Sequence, residues 1–522
     1  MSDEFRPPVQ LSHRQIQIVF LGLMAGMLLS SLDQTVVATA LPTIVGELGG
    51  LEHLSWVITA YLLSSTASMP LYGKLSDMYG RKMLFQAAIV VFLIGSLLSG
   101  ISQNMTELVA CRGIQGLGAG GIMILSQTIV GDIIAPRDRG RYQGYMGSIF
   151  AVSAVAGPLI GGFFTDNLTW RWVFYVNIPV GIMALLVTAV VLRMPVRRVK
   201  QRIDYSGALL MVSGLVALLL LTSWGGIEYP WLSPMIIGLG VVGIVLLGFF
   251  VLNEGRVSEP LVPLRLFRNK IFAVATLLSF IVGIGFLGSV SYLPIYFQVV
   301  RGTSATMSGL AMLPLMATVF LGAVGSGWII SKIGRYRMFP ISGTGIMIVG
   351  TYLLSRMNDG TPWFRAALFM AVLGIGLGMV MQVPILAVQN AVAHKDLGTG
   401  TASVNLFRSL GSAFGVAIFG AILSNRLTSE LKQILPPQAL GQINPTMLTA
   451  SPAQLKALPA AVHAGVVHAF SLSLNSVFLW AVPMMVVAFL VAWLLQDIPL
   501  REYAHVGKEE APPPLEGEAA AD

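Results

Sequence analysis

The sequence predicts an all-α polytopic membrane protein: fourteen transmembrane helices, arranged as two six-helix halves with two further helices inserted between them and both termini cytoplasmic. Three observations carry that prediction. Of 522 residues, 55% are hydrophobic and 11% are charged, against a charged fraction of about 25% in soluble domains. The apolar residues gather into fourteen runs that can each cross a membrane, a crossing needing about 20 residues. The basic residues concentrate in alternate loops. No alternating ten-residue barrel pattern occurs, so helices are the option left open.

Taken in order, the runs are approximately 16–39, 54–73, 84–101, 106–130, 142–165, 173–192, 205–223, 234–252, 272–297, 306–330, 339–355, 365–390, 399–424 and 472–495. Residues 1–15 read as a polar cytoplasmic tail, 16–192 as an N-terminal six-helix bundle and 193–271 as a linker holding the inserted pair. Residues 272–495 read as a C-terminal six-helix bundle with an extracytoplasmic loop at 425–471, and 496–522 as a disordered cytoplasmic tail rich in Pro and acid. With the N-terminus inside, 23 of the 32 Lys and Arg fall on inside segments, seven fall outside, and two, Arg112 and Arg408, sit within spans. That bias sets the orientation. It also accounts for the net charge of +8 without nucleic acid as a partner.

A repeat links the halves. Gly73-Lys-Leu-Ser-Asp-Met-Tyr-Gly80-Arg81, after span 2, recurs as Gly327-Trp-Ile-Ile-Ser-Lys-Ile-Gly334-Arg335 after span 10. Parallel halves of this kind put a substrate site between them near the bilayer midplane and move by rocking. Cys111 is the one cysteine, so no disulfide framework or Cys-based metal site is expected. The six histidines all lie in loops or tails, which removes His-based proton relays and metal chemistry inside the membrane.

Asp33 is the one acid placed inside an apolar span. A carboxylate at membrane depth is costly and is a functional candidate by default; it reads as a proton site. Span 1 runs outward and span 4 inward, and Asp33 and Arg112 each lie six residues from the outer limit, so both sit about 9 Å deep. An arginine stays charged, so protonating Asp33 would release Arg112 and deprotonation would restore the pair. Arg408, in span 13, has no intramembrane acid left; backbone carbonyls, the cytoplasmic loops or an anionic substrate group are its possible partners. Substrate-binding candidates are Gln34, Trp56, Tyr61, Gln115, Tyr292, Tyr296, Gln382, Gln389, Asn405 and Arg408, with Met123, Met379 and Met381 as adaptable apolar surface.

Five matches in series give the chain a family resemblance: Leu32 to Pro42, Gly73 to Lys82, Arg112 to Gly121, Gly147 to Gly162, and Trp170 to Gly181. With these it resembles the major facilitator superfamily, and within it the fourteen-span drug:proton antiporters of the EmrB/QacA type. The resemblance implies that Gly73, Asp77, Gly80 and Arg81 form a cytoplasmic latch, broken and remade during alternating access. Asp77 has two options there: pairing with Arg81, or sitting against the positive N-terminal end of a helix from the other half. Ser331 stands in the second copy where Asp77 stands in the first, so the latch is expected to be one-sided. Gly147, Gly157, Pro158, Gly161 and Gly162 match the antiporter motif of span 5, which favours export. The function expected is proton-coupled efflux of lipophilic, often cationic drugs across the cytoplasmic (inner) membrane of a bacterium, by a non-enzyme. The energy source is the proton gradient, with no cofactor or metal. The expected form is a monomer in the lipid bilayer, with an accessory periplasmic protein left open. Rival readings are export of one endogenous metabolite or lipid, and a non-transporting receptor or assembly subunit.

Overall fold

The computed structural model describes residues 12–48, 54–192, 204–226, 228–257, 260–436 and 459–500. Most of the two tails, the start of the linker at 193–203 and the middle of loop 425–471 lie outside the described residues. Among those described there is no strand, and twelve helices are long and apolar enough to cross a membrane. Two of the fourteen apolar runs fall outside that set. One is helical over Leu54–Tyr79 but carries Pro70, several hydroxyl residues, Lys74 and Asp77; the other, Met338–Leu354, has 17 residues.

The first six helices are α1 (His13–Leu48), α2 (Leu54–Tyr79), α3 (Arg81–Ile101), α4 (Met105–Ile133), α5 (Pro136–Asn167) and α6 (Asn177–Val191). The inserted pair is α7 (Tyr205–Trp224) and α8 (Pro234–Glu254). The second set comprises α9 (Lys270–Val290), α10 (Leu313–Ile333), α11 (Met338–Leu354), α12 (Trp363–Met381) continued by α12′ (Val383–Ala391), α13 (Leu397–Ile434) and α14 (Ala460–Trp493). Helix α4 is held between α2 and α3, while α1 packs on α5 and α6. In the other half α9 packs on α13 and α14, and α12 lies between α10 and α11. The halves meet along two seams, α5 with α10 and α2 with α13, and the inserted α7 leans on both helices of the second seam.

Small residues make these approaches possible, as expected where lipid removes the hydrophobic drive between helices. A Cβ on Gly118 of α4 would run into the Phe92 backbone of α3, and one on Gly73 of α2 would lie 2.7 Å from Ala402 of α13. The repeat is visible in the backbone too. Gly80 and Gly334 both take positive φ, 95° and 74°, a conformation that costs glycine least, and each lets the chain turn sharply between helices.

Several helices depart from the sequence expectation. Helix α1 runs to Leu48, and α13 extends ten residues past the limit of 424. Conversely, runs 272–297, 306–330 and 365–390 are not continuous. The α-helix breaks at Tyr292, Met312 and Gln382, each two residues before a proline: Pro294, Pro314 and Pro384. Proline has no N–H to give and its ring clashes with the carbonyl four residues back, so the preceding turn opens. Pro70, Pro158 and Pro483 are carried inside unbroken helices.

Candidate functional site

Asp33 faces the middle of the N-terminal bundle and is 1% exposed. Its Oδ2 accepts from the Arg112 guanidinium, and its Oδ1 accepts from Gln115 Nε2 at 2.8 Å and Asn177 Nδ2 at 3.0 Å. Arg112 also donates to Gln115 Oε1 at 2.8 Å and to the Val57 carbonyl at 3.3 Å, and its charge lies 4.2 Å above the Tyr61 ring. Asn177 is steadied by Ser96 Oγ at 3.0 Å, and Tyr61 donates to the Ser30 carbonyl at 2.9 Å. One carboxylate thus holds α1, α4 and α6 together. A buried charge pair is tolerated when its remaining lone pairs and protons are satisfied, and here three donors meet the two carboxylate oxygens.

The depth match between Asp33 and Arg112 therefore corresponds to direct contact. In this state Asp33 is enclosed by its own bundle, its partners coming from α4 and α6.

The residues expected to form the latch lie at the end of α2 and the start of α3. Arg81 bonds Asp77 at 3.0 Å, pairs with Asp132 at the end of α4, and donates to the Thr128 carbonyl. Asp77 in turn accepts from the Thr399 backbone N–H at 3.2 Å, on the first turn of α13. Both options for Asp77 are realised at once. Burial raises the Asp77 carboxyl to about 6, with the Arg81 charge pulling it the other way. His394 Nε2 approaches Asp132 at 3.6 Å from the other half.

The expectation of a one-sided latch is corrected by the second copy. Ser331 Oγ accepts from the Arg141 backbone N–H at 3.0 Å, near the start of α5, and Arg137 donates to the Ser331 and Lys332 carbonyls. A hydroxyl does what the carboxylate does on the opposite seam. Gly140 and Gly327 meet backbone to backbone there.

The antiporter-motif glycines divide. Gly157 and Gly161 admit the side chains of Thr35 and Thr39 on α1, two and six residues beyond Asp33, while Gly162 meets nothing within 4 Å and Pro158 stays within the helix. Gly147 belongs to the seam: a Cβ there would lie 3.0 Å from the Gln382 side chain of the other half.

The substrate candidates do not form one pocket. Tyr61 and Gln115 belong to the Asp33 cluster. Trp56 stacks edge-on against Trp224 of α7 at 5.3 Å, and Gln34 is exposed. Tyr292 and Tyr296 donate to the Val416 and Asn358 carbonyls inside the C-terminal half. Met379 packs near Gly343, also within that half. Gln382, Gln389 and Asn405 do reach the seam, Arg408 lies beside it on Asn405, and Met123 packs near Ala402 there. Gln389 donates to the Gln127 carbonyl and Thr401 Oγ1, and Asn405 donates to Gln127 Oε1 at 2.7 Å across the halves.

Four participants were not singled out from the sequence. Asn177 sat inside a quoted motif with nothing to mark it as a partner of Asp33. Asp132 lies just past the limit of span 4, where an end-turn acid carries no depth signal, although its position opposite Arg81 is readable. Gln127 and Thr399 offered no spacing signal.

A buried intramembrane ion pair, two repeated helix sets and seams tied across them define a multi-pass membrane transporter. A model of the Major Facilitator Superfamily matches residues 23–416. The chain is 43% identical over 492 residues to an uncharacterized MFS-type transporter of Mycobacterium tuberculosis, covering 94% of this chain and 71% of that protein. It is 37% identical over 420 residues to the multidrug transporter protein MdtP of Bacillus subtilis, covering 80% and 77%. It is 35% identical over 434 residues to the efflux pump dotC of Dothistroma septosporum, covering 81% and 75%. In fold it is similar to the proton:xylose symporter XylE, with a TM-score of 0.61 at 16% identity over 93% of this chain and 96% of that one. The chain belongs to the major facilitator superfamily, whose members are transporters and not enzymes.

Proposed function

We propose that the protein is a proton-coupled exporter of small lipophilic compounds, of the fourteen-span type, with both termini cytoplasmic. The buried Asp33–Arg112 pair, with Gln115 and Asn177 on the same carboxylate, is the observation that carries the reading. Relatives named as multidrug transporters and efflux pumps support the direction and the cargo, and the 23-to-7 basic bias supports the orientation. Protonation on the outside removes the charge that holds Arg112, freeing α4 from α1 and lowering substrate affinity. Loss of the proton on the inside restores the pair and the affinity. Here the seams are tied at the basic end by Asp77–Thr399, Arg139–Gln389 and Ser331–Arg141, which suits a state closed to the cytoplasm.

The test is substrate-driven proton movement in reconstituted vesicles, parent against Asp33→Asn, with the Asp33→Asn/Arg112→Gln double variant to relieve the stranded charge if the single one folds poorly. Coupled flux in the parent, lost in the variants while substrate still binds, supports the assignment. Coupling that survives both variants overturns it.

A further inference from the structure

The least explained group in the described membrane region is Arg408. On α13 it shares one face with Thr401 and Asn405, at i, i+4 and i+7, and Asn405 reaches across to Gln127 of the other half at 2.7 Å. That face therefore points at the seam. Arg408 donates to Asn405 Oδ1 at 2.5 Å and to the Met381 carbonyl at 3.4 Å. No carboxylate pairs with it among the described residues, and two contacts leave three of the five guanidinium N–H groups free.

Its surroundings are prepared in the same way. The Met381 carbonyl stands at the break between α12 and α12′, where Pro384 opens the helix. Next to it is Gln382, 5% exposed, whose Oε1 and Nε2 have no hydrogen-bond partner. Gln382 is seated on Gly147 of α5. Counting along the helices from the basic end, Gly147, Gln382 and Arg408 all lie about 15 Å deep, half of a hydrocarbon core of about 30 Å. Asp33 lies about 30 Å from that end by the same count, so it cannot neutralise Arg408.

Resting on the exporter reading, we propose that this mid-membrane site, formed by Arg408, Gln382 and the opened Met381 turn against Gly147, binds the anionic group of a lipophilic substrate, a sulfonate or carboxylate on an aromatic body. An intramembrane cation with free donors is stabilised by an anion, and a buried amide with both ends unpartnered is costly until a ligand or water satisfies it. The cationic preference expected from sequence finds no carboxylate at this level of the seam among the described residues, because Asp33 is held inside the N-terminal bundle. The charge balance changes with it. Exchanging one proton inward for one monovalent anion outward moves two elementary charges per turn, so transport is driven by membrane potential; exchange for a monovalent cation moves none.

Equilibrium binding to the full chain in nanodiscs, with empty nanodiscs subtracted, tests this without any proton gradient. The probes are anilinonaphthalene sulfonate, its uncharged counterpart phenylnaphthylamine, and tetraphenylphosphonium. The parent is expected to prefer the sulfonate to the neutral probe by about tenfold. Arg408→Gln is expected to abolish that preference with neutral-probe affinity unchanged, Arg408→Lys to keep part of it, and Gln382→Leu to reduce it about threefold. Equal binding of sulfonate and neutral probe by the parent, a preference for the phosphonium, or a preference that survives Arg408→Gln overturns the proposal. If Arg408→Gln does not fold, Arg408→Lys and Gln382→Leu decide it, and unchanged preference in both overturns it. Since binding is read at equilibrium, a failed proton-coupling assay leaves this result standing, and the reverse also holds.

Discussion

Each half of the molecule keeps one arginine inside the membrane, and treats it in the opposite way. In the N-terminal half Arg112 is 1% exposed, paired with Asp33 and covered by Tyr61, on a helix, α4, that runs unbroken. In the C-terminal half Arg408 has no acid, shares a face with groups that cross the seam, and stands beside a helix opened at Gln382. The first arrangement stores a charge and can release it by taking up a proton. The second leaves a charge with no carboxylate partner among the described residues. On the proposed exporter reading, coupling would consist in making the release at one arginine change what the other can hold.

The largest effect is expected where the comparison is most unequal. Asp33→Asn strands a buried cation that cannot deprotonate, whereas Arg112→Gln leaves a carboxylate that can escape by picking up a proton. Breaking a buried pair from one side costs about 3–5 kcal/mol, so Asp33→Asn should lower thermal stability in nanodiscs clearly more than Arg112→Gln. The double variant should recover most of the loss. Equal melting shifts for the two single variants would mean that the pair is wetter than its burial implies.

Next in size is the helix break. Pro384→Ala supplies an N–H for the Val380 carbonyl and removes the ring clash there, so α12 and α12′ should join and the Met381 carbonyl should take the Ile385 N–H and return to the helix ladder. Backbone hydrogen exchange around residues 381–385 should slow by about tenfold. The same change at Pro158, already inside a continuous helix, should have little effect. A smaller effect is expected at the seam itself: Gly147→Ala brings a methyl to 3.0 Å from Gln382, which must shift by a few tenths of an ångström. Substrate KM should then rise about threefold with kcat nearly unchanged, since this is binding lost without chemistry.

The contrast between the halves was only partly legible in the residues. Asp33 and Arg112 could be matched because depth follows from counting at constant rise per residue, and the repeat could be seen because Gly80 and Gly334 are needed by a sharp turn. Asn177 and Gln127 were invisible for a physical reason: a neutral amide costs little in a span and leaves no periodic trace, so its partner is known only once helices are placed. The breaks at Tyr292, Met312 and Gln382 were missed because proline inside an apolar run is ambiguous. Pro158 bends without breaking, and tertiary packing decides between the two.

The smallest predicted effects compare the two copies of the latch. Asp77 in the closed seam is held up at about 6 by burial, against the pull of Arg81, with Asp132 adding to the rise. An exposed carboxylate titrates at about 4. If opening exposes Asp77, the closed state binds the proton more tightly, so lowering pH from about 6 toward 4 favours closure and raising it through 6 removes that advantage. Ser331 has no such charge: Ser331→Ala should weaken closure by about 1 kcal/mol at every pH, while Asp77→Asn should erase this part of the pH dependence. Distances between spin labels placed on the two sides of the basic end, followed over that pH range, separate the two outcomes. His394 lies 3.6 Å from Asp132, so His394→Gln is the control: if it abolishes the pH dependence and Asp77→Asn does not, the proton is taken up at the histidine instead.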